Sequence, residues 1–68
     1  MKISARNVLK GKITEVTKGA TTAHVKINAG GTIVTASITN AAVDDLKLVA
    51  GKQAYAVVKA SDVMVAVD

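Results

Sequence analysis

The sequence has no cysteine, no proline, no phenylalanine and no tryptophan, and only one each of tyrosine, histidine and arginine. Without Cys, disulfides and thiolate metal sites are excluded. With His24 as the one imidazole and no tight group of carboxylates, a metal cage lacks ligands. The absence of Pro means that no segment is demoted from strand on that account. The missing aromatics weigh on packing. Each aromatic side chain buries ~150–250 Å², and Tyr55 is the sole contributor. No run approaches the ~20 apolar residues of a membrane helix. Lys2 is not followed by an apolar leader or a cleavage site. A cytoplasmic chain without a membrane partner is the expectation.

What is present is small and apolar. Half of the 68 residues are hydrophobic, and Ala and Val supply 23 of those 34. A chain of this length forms one domain, residues 1–68, and buries only ~60% of its unfolded surface. With neither disulfide nor metal to help, a core of Ala and Val predicts packing against copies of itself. Net charge is +4, with the nine cations spread along the chain, and this favours an anionic partner.

Strand patterns dominate. Val8 to Thr17 alternates, with Leu9, Gly11 and Ile13 on one face, and Gly11 suggests a bulge or sharp bend. Lys18-Gly19-Ala20 reads as a turn. Thr22 to Asn28 and Thr32 to Thr39 alternate cleanly around Ala29-Gly30-Gly31, which predicts a hairpin. Asn40 is the expected N-cap of a short helix over about 41–46. Gln53 to Lys59 and Val63 to Val67 read as two further strands, joined by a turn at Ser61-Asp62. The last is apolar on both faces, which suggests cover on both sides at a subunit interface. Three strands, a helix and two strands predict an all-β fold with one short helix, a five-stranded OB-like Greek-key barrel. An SH3-like barrel or open sandwich is the alternative.

Catalysis has little support. His24 stands on the polar face of a strand with no nucleophile placed beside it, and P-loop, GxGxxG and HExxH motifs are absent. The chain reads as a binder, not an enzyme, and needs no cofactor. Binding of nucleic acid by an OB module is a second reading, weakened by a single aromatic residue where base stacking needs several. A generic anion-binding oligomerisation domain is a third.

The donors of the sequence suit a small anion. Ser4, Arg6 and Asn7 bring a hydroxyl, a five-donor guanidinium and an amide into four residues. Lys59-Ala60-Ser61 joins an ammonium, a hydroxyl and turn amides, and Thr39 stands at the start of the helix.

Ile3-Ser4-Ala5-Arg6-Asn7 followed by Leu9-Lys10-Gly11-Lys12-Ile13 closely resembles the start of the molbindins, the small molybdate-binding Mop proteins. Lys18-Gly19-Ala20-Thr21-Thr22-Ala23, Ile38-Thr39 and Val58-Lys59-Ala60-Ser61-Asp62-Val63-Met64-Val65 extend the resemblance over essentially the whole chain. It implies an OB-like barrel assembled as a hexamer, a trimer of dimers, with oxyanion sites between subunits. By matching motif, Ser4, Arg6 and Asn7 come from one subunit, and Thr39, Lys59, Ala60 and Ser61 from a neighbour. A second oxyanion site, built largely from backbone amides, is assigned to Lys18, Gly19, Ala20, Thr21 and Thr22. Ala42 departs from the pattern, since many relatives carry Ser there. The implied ligand is molybdate or tungstate, bound as the oxyanion without direct ligation of the metal. The implied role is intracellular molybdenum storage, buffering or homeostasis. The 68 residues leave no room for a DNA-binding or nucleotide domain, so binding itself is the expected task.

The chemistry of such a pocket follows from its donors. Molybdate and tungstate are proton-free dianions near neutral pH and only accept hydrogen bonds. Phosphate carries a proton part of the time, and an all-donor pocket leaves that O–H unpaired. Sulfate is proton-free but smaller, so a pocket sized for molybdate gives it long, poor hydrogen bonds.

Overall fold

A computed structural model of the chain describes all residues, 1–68. Four strands, β1 (Asn7–Lys18), β2 (Thr22–Ala29), β3 (Thr32–Thr39) and β4 (Gln53–Val58), form one antiparallel sheet in the order β3-β2-β1-β4. A short helix, α1 (Asn40–Asp45), joins β3 to the loop before β4. The result is a strongly curled, OB-like all-β fold with one short helix.

The curl originates in β1. Its first half pairs with β4, from Asn7 opposite Val58 to Lys12 opposite Gln53, and its second half pairs with β2. The two ladders meet at Lys12, which faces both Gln53 and Asn28. Just beyond, a β-bulge at Thr14 inserts one residue, so Ile13 faces Ile27 and Glu15 faces Lys26. The alternation shifts there. Gly11 and Ile13 point inward before the bulge and Val16 after it, and a bulge adds the local twist that bends a sheet on itself. Gly11 is required for a different reason. A Cβ on it would overlap the carbonyl oxygen of Asn28, where β2 crosses closest. The bend expected at Gly11 is thus produced at Thr14, and Gly11 permits the close approach.

The core is the inward row of β2, Ala23, Val25 and Ile27, packed with Ile13, Val43 and Ala56. These six are the only buried residues of the single chain, and none is polar. The Gly30-Gly31 hairpin has φ of 62° and 96°, the doubly left-handed turn that glycine accommodates.

Two expectations are corrected. The helix N-cap is Thr39, whose hydroxyl accepts from the amide of Ala42 at 3.0 Å, and Asn40 is the first helical residue. The fifth strand does not form. A 3₁₀ turn at Ala60–Asp62 follows β4, and the residues beyond it pair with nothing. Met64, Val65 and Val67 are 93%, 89% and 92% exposed. A strand exists only by pairing, and this segment, apolar on both faces, finds no sheet edge within its own chain. Leu9, on the same side of β1 as Gly11 and Ile13, is 44% exposed.

Candidate functional site

The end of the β1–β4 ladder brings two distant segments together. Asn7 lies opposite Val58, so the residues before Asn7 run alongside those after Val58. The ladder itself ends at that pair, because the chain bends at Ser4 and Arg6 on one side and turns from Lys59 through Ser61 on the other. These residues line one cleft of about 610 Å³, together with Ala60, Asp62 and Val57. The two segments, more than fifty residues apart in the sequence, therefore meet within one chain, where the resemblance implied that they come from two subunits. The 3₁₀ turn holds the far wall, with the amide of Asp62 donating to the carbonyl of Lys59 at 2.9 Å. Ser61 is exposed on this turn.

The cleft carries an excess of positive charge. The ion pairs of the chain are Lys18–Asp44 and Lys26–Glu15, and neither involves Arg6 or Lys59. Two exposed cations thus stand on one cleft without a carboxylate bound to either. Like charges held together in this way are relieved by an anion between them. Asp62 is the one acidic residue of the lining, and the sequence reading had not included it. Asn7 is engaged in the β1–β4 ladder at the edge of this group.

Thr39 lies elsewhere. It pairs with Thr22 at the far end of the sheet, beyond Lys18, the last residue of β1. It is absent from the Arg6–Lys59 cleft. Instead it adjoins the other candidate group, Lys18 to Thr22. In that turn the amide of Gly19 donates to the carbonyl of Thr22 at 2.8 Å, and the Lys18 ammonium is bound to the Asp44 carboxylate at 2.5 Å. The amides of Ala20 and Thr21 have no partner in the chain. Asn40 grips the turn through its side chain and its backbone, a role that its reading as a helix cap had hidden. Ala42 donates its amide to the Thr39 hydroxyl, so the helix start is closed by the chain's own atoms. No group of three His, Asp or Glu side chains that could hold a metal ion exists.

Known proteins resemble this chain in sequence and in fold. The TOBE domain family matches residues 3–65. A Haemophilus influenzae protein named "Probable molybdenum-pterin-binding protein" is 48% identical over 69 residues, covering the whole of both chains. A molybdate-binding protein from Sporomusa ovata superposes with a TM-score of 0.92 at 41% identity, over 97% of this chain and 98% of that one. The cytoplasmic molybdate-binding protein ModG, solved with molybdate bound, superposes with a TM-score of 0.90 at 42% identity, over 94% of this chain and 46% of ModG. With both its fold and its full length shared in this way, the chain belongs to the TOBE domain family, as a small molbindin.

Proposed function

We propose that this chain binds molybdate and tungstate as oxyanions, as a single molybdate-binding domain over residues 1–68. The observation that carries the reading is that Arg6 and Lys59 line one cleft, with Ser4 and Ser61 beside them and no ion-pair partner for either cation. Its relatives bear names that speak of molybdenum-pterin and molybdate binding. The contacts are Ser4, Arg6, Asn7, Lys59, Ala60 and Ser61 at the first site, with Thr39 supplied from another subunit. The turn at Lys18, Gly19, Ala20, Thr21 and Thr22 is the second site.

The first site is completed by assembly. The cleft of about 610 Å³ is open to solvent and far exceeds a four-oxygen anion, which leaves space for a wall from a second copy. A homo-oligomer, a hexamer built as a trimer of dimers, fits the thin core of six buried residues and the exposed apolar tail. The role is binding without catalysis or cofactor, for storage, buffering or homeostasis of molybdenum in the cytoplasm. Isothermal calorimetry with molybdate, tungstate, sulfate and phosphate in turn tests the reading. Tight binding of the first two and weak binding of the others is expected. Equal affinity for all four reduces the chain to a generic anion binder.

A further inference from the structure

Three consecutive carbonyls of the turn after β1 point at one residue. The side-chain amide nitrogen of Asn40 donates to the carbonyl of Gly19 at 3.0 Å and to that of Ala20 at 3.3 Å. The backbone amide of Asn40 donates to the carbonyl of Thr21 at 2.9 Å. The orientation of the carboxamide is determined by these partners, since a flipped group would set its oxygen against two carbonyl oxygens.

A trans peptide unit points its C=O and N–H in opposite directions. The Gly19 carbonyl shares its plane with the amide of Ala20, and the Ala20 carbonyl with the amide of Thr21. When Asn40 draws both carbonyls toward itself, both N–H groups are turned away from it. Those two amides have no acceptor in the chain and belong to exposed residues. Two successive outward N–H groups offer an anion two neighbouring donors. Lys18, beside them, is occupied by Asp44, so the backbone is left as the principal donor of this turn.

We propose that Asn40 is the positioning residue of the second oxyanion site: its carboxamide sets the Gly19–Ala20–Thr21 peptide planes so that the Ala20 and Thr21 amides present themselves together to one oxyanion. The proposal rests on the reading of the Lys18–Thr22 turn as an oxyanion site. Asn40 does not touch the ion. It decides where the donors point, and loss of such an outer partner costs roughly 10–100-fold at metal sites.

The test is an amide NMR titration of the assembled protein with sodium molybdate, with the Ser61 amide as reporter of the other site. In the wild type, the Ala20 and Thr21 amides shift along one common saturation curve. In Asn40→Leu, similar in shape but unable to donate, both need about tenfold more molybdate while the Ser61 curve is unchanged. Asn40→Ala serves as the second variant should the Leu variant fail to fold. Unchanged Ala20 and Thr21 curves in the variant overturn the positioning role. Equal weakening at Ser61 also overturns it, because a purely structural role weakens both sites alike. If these amides stay still in the wild type while Ser61 responds, the second-site reading itself falls, and the role of Asn40 with it.

Discussion

The Lys18 ammonium and the Asp44 carboxylate meet at 2.5 Å, joining the end of β1 to helix α1 across 26 positions of sequence. Their side chains are 45% and 65% exposed, so the pair contributes at most ~1 kcal/mol to stability. Its larger effect is on charge, because it neutralises the one cation of the Lys18–Thr22 turn.

Replacing Asp44 by Asn releases Lys18 and removes a negative charge from the neighbourhood of the turn amides. A several-fold gain in oxyanion affinity at that turn is expected, with the melting temperature of the free protein nearly unchanged. Amide titration with molybdate reads the first quantity and thermal unfolding the second.

Arg6→Ala and Lys59→Ala each strip one of the two cations from the cleft. An ion that binds only the folded assembly stabilises it by mass action, by ~2.7 kcal/mol per site at a hundredfold excess over Kd. Molybdate should raise the melting temperature of the wild type, and either substitution should remove most of that shift. Asp62→Asn should enlarge it, because Asp62 is the acidic group of the same lining. Differential scanning fluorimetry with and without molybdate gives all three values.

Gly11→Ala places a methyl group where the Asn28 carbonyl and the Ile27 side chain already stand. Backbone cannot yield as a flexible side chain can. A loss of about 1–3 kcal/mol is expected, as for overpacking elsewhere. Urea denaturation measures it, and a variant as stable as the wild type would show that β2 can withdraw from β1.

Ending the chain after Val63 removes Met64, Val65 and Val67, the most exposed large apolar residues of the tail. Sedimentation should show a smaller species at micromolar concentration, or dissociation at a higher protein concentration than for the wild type. An unchanged oligomer would place the subunit contacts on other surfaces.

Much of the fold was legible from alternation alone. In β2, Ala23, Val25 and Ile27 alternate with polar residues, and all three are buried. Gly30-Gly31 announced its turn because few other residues adopt positive φ twice in succession. The bulge at Thr14 carried no comparable mark. Its one trace is the step from Ile13 to Val16, three residues where a regular strand takes two, with Glu15 on the face that regular alternation would bury. Thr39 and Asn40 are both good caps by residue type, and only the path of the chain out of β3 selects Thr39.

The candidate site divides in the same way. Residue chemistry alone singled out Arg6, Lys59 and the hydroxyls near them, since a guanidinium, an ammonium and two serines are donors wherever they lie. It could not group them. Their meeting depends on the register of Asn7 opposite Val58, a long-range pairing that no local pattern encodes. The same register separates Thr39 from that cleft and sets it beside the Lys18–Thr22 turn. The sequence by itself determined the periodicity of the strands, the poverty of the core and the identity of the donors. The tertiary structure alone decided which donors share a cleft and which way the turn amides face. Those depend on pairing between distant strands and on the clamp at Asn40.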